Sequence, residues 1–368
     1  MSRFDDKPVG GDETGKPHLV HASPGVDPVY GLGALFGLAV GDALGTTLEF
    51  ERRPAIPFTP ALDGPHREVL GGGPFGVAPG QVTDDTQMAT ALTVSLMESG
   101  GFLADKVAVS YVAWSGSAFD IGLQTRDALN RVRRGAAAGD AGRETWIAGG
   151  KKVAGNGSLM RTAPIGLFYQ DDAARCREVA MQDSAITHFD PRCQLACAAF
   201  DATIAAAAAR REGQPTRVAT ALVEVARTAL GEARDAFVAA HPEFASEGHE
   251  AHAGLVADLD RALMPDPDLY GSNVNLATMA GFVRVAFRLA YWQLVHAPSY
   301  EAGLIDTVNR GADADTNGAI VGALLGAFHG LDAIPARWRE AVVGALRGDT
   351  GPWATTYHPR RMFALVRT

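Results

Sequence analysis

The sequence predicts an all-α protein, a compact orthogonal multi-helix single domain. From Val29 onward the chain runs in long Ala-, Gly- and Leu-rich segments whose apolar residues recur at helical spacing. Strand signals are sparse, with no series of alternating β-branched runs bounded by turns. With 368 residues, 47% of them hydrophobic and 20% charged, the chain can bury a full core.

Residues 1–27, rich in Gly, Pro, Asp and Lys, read as a flexible N-terminal arm, and 28–368 as one domain. Helical spacing covers roughly 31–44, 84–99, 103–115, 122–135, 172–185, 190–211, 215–242, 249–263, 274–294, 300–310, 316–330 and 335–347. Glycine-rich loops separate these segments, notably 71–80 (GGGPFGVAPG) and 148–158. The more polar stretch 212–272, with PDPD at 265–268, reads as a helical insertion at the rim. Glycines fall at 33, 37, 41 and 45, and again at 318, 322, 326 and 330. A step of four puts each set along one helix face. Glycine inside a helix costs about 0.5–1 kcal/mol relative to alanine, and close backbone approach is the simplest return. These two helices are expected to be central and buried.

The formal net charge of −9 argues against a general nucleic-acid binder, which needs a basic face. Three cysteines, Cys176, Cys193 and Cys197, are too few and too odd for a disulfide framework and read as buried thiols. The N-terminus lacks the apolar core of a signal peptide, and the apolar run 31–48 carries Asp42 and five glycines, too short and polar for a membrane span. A cytoplasmic protein with no membrane partner is the expectation.

Two clusters carry the chemistry. In V-T-D-D-T-Q-M-A-T-A-L at 82–92 a Gly/Pro loop ends and a helix begins, so Thr83 or Asp84 suits an N-cap. Capping accounts for one acid and does not need two flanked by threonines. R-G-A-D-A-D-T-N-G-A-I at 310–320 has the same form, with Asp313 and Asp315 alternating beside Thr316. Every candidate ligand is an oxygen, which selects Mg²⁺, Mn²⁺ or Ca²⁺ over zinc or copper. Four carboxylates balance two divalent cations, and without them they repel. A binuclear site at the centre of the fold is expected, its ions ~3.5–4 Å apart as in other two-metal enzymes.

Five ordered segments, GDALG at 41–45, TDDT at 83–86, GNGSLMR at 155–161, THFDP at 187–191 and GADADTNGAIVGALLGA at 311–327, resemble the ADP-ribosylglycohydrolase family, which includes the dinitrogenase reductase-activating glycohydrolases. The resemblance covers most of residues 30–330. It implies an all-α fold, two Mg²⁺ or Mn²⁺ ions, and cleavage of the bond between ADP-ribose and a protein side chain. By resemblance Thr83, Asp84, Asp85, Asp313, Asp315 and Thr316 are metal ligands. Glu49 resembles the family's mobile glutamate, or is an ordinary acid after a helix. Asp120, in W-S-G-S-A-F-D-I-G, resembles its catalytic aspartate, or caps the helix at 122–135. Asp85 stands with Glu49 and Asp120 as a catalytic candidate. Gly122, Asn156, Gly157, Ser158, Met160 and His188 are implied to bind ADP-ribose, with the GNGSLMR turn cradling phosphate. Arg161 reads as a structural ion pair. Ala312 departs from the family's usual glycine there, and would be strained if the position needs a positive φ.

The expected reaction passes through an oxocarbenium-like state, with Glu49 or Asp120 as general acid or base. The expected partner is an ADP-ribosylated protein, most simply modified on arginine, and the arm suggests an immunity protein against an ADP-ribosylating toxin. One rival is a silent ADP-ribose binder or structural relative, which predicts lost metal ligands; all six are present. The other is a two-metal phosphohydrolase, whose sites commonly add histidines that neither cluster has.

Overall fold

The computed structural model describes residues 19–59, 62, 64–210 and 217–366. Among them there are fifteen α-helices and, in place of a sheet, only isolated bridges. The helices are α1 Pro28–Gly45, α2 Asp84–Ser99, α3 Ala104–Ser115, α4 Leu123–Arg133, α5 Ala138–Ala148, α6 Ala163–Phe168, α7 Ala173–Thr187 and α8 Pro191–Ala208. They continue as α9 Ala219–Ala240, α10 Ala245–Ala262, α11 Val283–His296, α12 Tyr300–Asn309, α13 Ala314–His329, α14 Ala336–Gly344 and α15 Arg360–Phe363.

The two glycine-faced helices pack on each other in antiparallel register. A Cβ on Gly33, Gly37 or Gly41 would lie 2.2, 2.0 or 1.9 Å from the carbonyl oxygen of Gly326, Gly322 or Gly318. The fourth partner of this seam is Ala314, whose carbonyl faces Gly45. Gly330, expected on the stripe, instead ends α13 with φ 85°. The backbones therefore touch with no side chain between them, and α1 and α13 form the centre of the molecule. Together with Thr46–Leu48, α1 is long and apolar enough to cross a membrane, yet 89% of that window is buried inside the protein. It is a core helix.

The other helices wrap this pair. In the stretch 212–272, α9 and α10 pack on α8 and α11, with Leu222, Leu230, Phe237, Leu255 and Leu259 in the core. Its polar character comes from the outer faces and from Asp258, buried against Arg284 and Arg288. The expected helix at 274–294 begins only at Val283. Asn275 Oδ1 accepts the backbone N–H groups of Ala277 and Thr278, a side-chain turn that competes with helix. Three short helices, α5, α6 and α15, lie where no helix was expected.

Residues 1–18 of the arm expected at 1–27, and the helix boundaries at 211 and 215, lie outside the described residues. Residues 19–27 are not free: Val20, Ala22, Ser23 and Asp27 donate backbone hydrogen bonds to Met97, Leu365, Leu167 and Ala208. All three cysteines are buried and unpaired.

Gly37→Ala should cost at least ~2–3 kcal/mol, because its Cβ meets backbone that cannot change rotamer. Gly231→Ala, in α9 with nothing within 4 Å of the added Cβ, should stabilise by about 0.5–1 kcal/mol. Urea unfolding of the two variants checks this; equal midpoints would mean that the α1–α13 seam yields.

Candidate active site

The seam delivers three strings of acids to one point. Asp42 comes from the last turns of α1, fully buried. Asp84 and Asp85 open α2, and Asp313 and Asp315 open α13. Asp42 organises the α2 entry: its carboxylate accepts Thr83 N at 3.0 Å, Thr83 Oγ1 at 2.9 Å, Thr86 N at 3.2 Å and Thr86 Oγ1 at 2.5 Å.

Thr83 and Asp313 occupy N-cap positions, but neither side chain caps its helix. Thr83 Oγ1 instead lies 2.9 Å from Asp42 Oδ1, 3.1 Å from Asp85 Oδ2 and 3.4 Å from Asp315 Oδ2. One hydroxyl proton serves one of these acids at a time. Thr316 Oγ1 lies 3.5 Å from Asp85 Oδ2. Glu49 closes the group from the far side, where its Oε2 accepts Ala314 N at 2.7 Å and so caps α13 across the chain.

Two carboxylate triads result. Oxygens of Asp42, Asp85 and Asp315 lie within 4.8 Å of one another, as do those of Glu49, Asp313 and Asp315. Asp315 is common to both. Asp85 Oδ1 is buried with no hydrogen-bond partner. Such an orphan beside so many acids fits a cation, because no ion pair among the described residues neutralises them. The donor set is all oxygen, as a hard divalent ion requires.

The electrostatics agree. Burial, then the neighbouring acids, pushes Glu49, Asp84 and Asp85 above the ordinary carboxyl range. Burial raises Asp42 to about 6 against the pull of its threonine hydrogen bonds, and Asp315 to about 8. Asp120 rises to about 6 through burial and the charges of Asp313 and Asp42, while a hydrogen bond with Asp84 pulls it down.

Above the acids opens a cleft of about 270 Å³ lined by Glu49, Asp84, Asp120, Asp313, Asp315 and Thr316 on one side. Gly122, Asn156, Gly157, Met160 and His188 line the other, with Thr125 and Gly281. Asp120 does not cap α4, whose N-cap is Gly122. Asn156 Nδ2 donates to Asp313 Oδ2 at 2.6 Å, tying the glycine turn to the acids.

Three expected residues do not reach the cleft. Ser158 is fully buried, accepting Ser184 Oγ at 2.9 Å behind the turn, so its side chain does not meet a ligand there. Thr83 and Asp85 are fully buried and do not line the cleft, a placement that suits holding an ion. Arg161 is a structural residue: it pairs with Asp183 at 3.0 Å, both fully buried, and donates to Gly157 O and Thr187 Oγ1. Thr187 Oγ1 in turn sits 2.8 Å from His188 Nδ1. The other ring nitrogen, Nε2, lies beside Gly155 and Gly157. Burial and Arg161 hold His188 neutral, well below its usual range.

Asp42 is the functional residue that sequence reasoning passed over. Its signal was present: a lone acid at the start of GDALG inside a helix buried all round. Ala312 does occupy the left-handed region, φ 60°. Its backbone is clamped to the Glu49 loop, with Phe50 N donating to Ala312 O at 2.7 Å and Ala312 N to Glu51 O at 2.9 Å.

Residues 31–359 match the model of the ADP-ribosylglycohydrolase family. The class defined by helices and acids together is thus a glycohydrolase, and the chain belongs to the ADP-ribosylglycohydrolase family. It is 29% identical over 308 residues to an ADP-ribosyl-(dinitrogen reductase) glycohydrolase of Rhodospirillum rubrum, covering 83% of this chain and 88% of that one. An ADP-ribosylarginine hydrolase of Pseudomonas putida is 27% identical over 333 residues, 84% of this chain and 73% of its own. A solved structure described as an ADP-ribosylglycohydrolase-related protein complex superposes with TM-score 0.66 at 28% identity, over 92% of this chain and 98% of that one.

Carboxyl groups raised on folding add stability that is full below the unfolded-chain value, roughly pH 4. It is lost as pH rises through about 6 for Asp42 and Asp120 and about 8 for Asp315. In EDTA the melting midpoint should therefore be lower at pH 8 than at pH 6, and Mg²⁺ or Mn²⁺ should raise it more at pH 8. A midpoint in EDTA unchanged between the two would show that the acids are not held protonated. Ala312→Gly should add about 0.5–1 kcal/mol, relief of left-handed strain outweighing glycine's entropy; a drop in the urea midpoint would contradict it.

Proposed function

We propose that the protein hydrolyses the glycosidic bond joining ADP-ribose to an arginine side chain of a modified protein, with two Mg²⁺ or Mn²⁺ ions. The observation that carries this is the pair of carboxylate triads sharing Asp315 at the floor of a cleft walled by a glycine turn. Thr83, Asp84, Asp85, Asp313, Asp315 and Thr316 would hold the ions, and Asp42 and Glu49 are added by geometry. When bound, such a pair supplies orientation of the ribose hydroxyls and activation of water. Arginine is favoured by the naming of the Pseudomonas putida relative and by a cleft whose charged lining is entirely acidic, which suits a cationic leaving group.

The chain's own groups divide the remaining work. Asn156, Gly155 and Gly157 line the wall that would face a diphosphate, with neutral His188 beside them. Asp120, on the cleft wall, is placed to pass a proton from or to the reacting atoms. Glu49 holds the entry of α13 and faces the same cavity. Reversal of a toxin's ADP-ribosylation would use this site unchanged.

ADP-ribose release from an arginine-modified protein should require Mg²⁺ or Mn²⁺, stop in EDTA, and vanish in Asp84→Ala/Asp315→Ala. Binding of ADP-ribose without release, or release of inorganic phosphate from simple esters, would overturn the reading. Asp120→Asn should lower turnover by about 10²–10⁴-fold, with ADP-ribose affinity measured separately by calorimetry; full turnover would remove it from the chemistry.

A further inference from the structure

The glycine-rich loop 71–80 lends no residue to the cleft, yet it is rigidly built. Gly71, Gly72, Gly73, Gly76 and Gly80 all take positive φ. Gly72 and Val77 exchange backbone hydrogen bonds at 2.8 and 3.1 Å, and Thr47 Oγ1 donates to Gly71 O at 3.0 Å. A Cβ on Gly73 would lie 2.1 Å from Thr46 O, so the loop is pressed against the end of α1. What it presents is Phe75.

Phe75 sits in a row of rings. Its centroid is 6.1 Å from that of Phe50 and 5.8 Å from that of Phe119, and Phe119 is 5.2 Å from Trp353. The rings meet at 70°, 57° and 86°, edge toward face. The row begins at the cleft: Phe50 lines it and follows Glu49, and Phe119 precedes Asp120. Phe50 is 65% exposed and holds a left-handed backbone, φ 60°, a conformation that costs a bulky residue energy. The Phe50 N–Ala312 O hydrogen bond holds this backbone, and the ring is left largely in water, touching Phe75 edge-on.

Phe50 lines the same cleft as Glu49 and Asp120. The cleft lining contributes Glu49, Asp84, Asp120, Asp313 and Asp315 and, among the described residues, neither Lys nor Arg. A guanidinium is planar, always charged and weakly hydrated, and stacks on aromatic faces. We infer that Phe50, held by Phe75 and Phe119, is the acceptor subsite and stacks on the guanidinium of arginine-linked ADP-ribose. This rests on the arginine-directed hydrolysis proposed above.

The test compares ADP-ribosylagmatine, an arginine-modified protein and free ADP-ribose, on wild type, Phe50→Leu, Phe50→Tyr and Phe75→Leu/Phe119→Leu. Leucine keeps the Cβ and the backbone strain and removes only the ring. Phe50→Leu should raise KM for ADP-ribosylagmatine by about 3- to 30-fold. Phe50→Tyr should restore it, the paired leucine variant should show a smaller rise, and affinity for ADP-ribose, which lacks the guanidinium, should hold. Unchanged KM in both leucine variants would overturn the subsite. So would a matching loss of ADP-ribose affinity, or a rise confined to the modified protein, which would place the ring against polypeptide. Wild type that releases nothing from arginine-linked substrates would sink the parent reading first, so the two failures are separable.

Discussion

Everything at this site depends on two helices that touch backbone to backbone. Removing side chains from the seam between α1 and α13 lets Asp42, near the end of one, meet Asp315 at the start of the other. Ordinary helix packing holds axes 8–10 Å apart through interdigitated side chains. Here the spacing is set by carbonyl oxygens against α-carbons, which have no rotamers to exchange. The acids inherit that fixity.

The same geometry gathers carboxylates that repel. Their hydroxyl and amide partners, Thr83, Thr86, Asn156 and the first amides of α13, offset part of the cost, while burial first, and then neighbouring acids at Asp120 and Asp315, still pushes Asp42, Asp120 and Asp315 upward. A second network on the opposite wall is neutralised internally. Arg161, Asp183 and Tyr111 satisfy one another in the dry interior, with Tyr111 donating to Asp183 at 2.7 Å, and Arg161 reaches out only to fix Gly157 and Thr187. One wall is left wanting cations, and the other is already satisfied and serves as a frame.

Much of this was legible in the sequence. Helical spacing, the two glycine stripes and the acid–threonine clusters all report local backbone requirements, which a linear pattern records directly. What escaped depends on partners far along the chain. Asp42 looks like a polar blemish in an apolar helix until α2 is placed against it. Ser158 sits in the right turn but points away, because Ser184 and Cys197 claim it from behind. The turn at 274–282 carries apolar residues at helical spacing, and one asparagine side chain diverts it. The short helices α5, α6 and α15 are too brief to show a period, and packing alone makes them helical.

The central pair also joins the two ends of the chain. Gly33 meets Gly326, so nearly the whole polypeptide separates the partners. During synthesis at ~5–20 residues per second, tens of seconds pass between the emergence of α1 and that of α13. Until then the most apolar helix of the protein shows an uncovered stripe, and its length and composition are those of a membrane span. The reward for closing so large a loop arrives late. Asp42, Glu49 and Asp85 therefore wait for Asp313 and Asp315, and neither carboxylate triad can form before α13 is made.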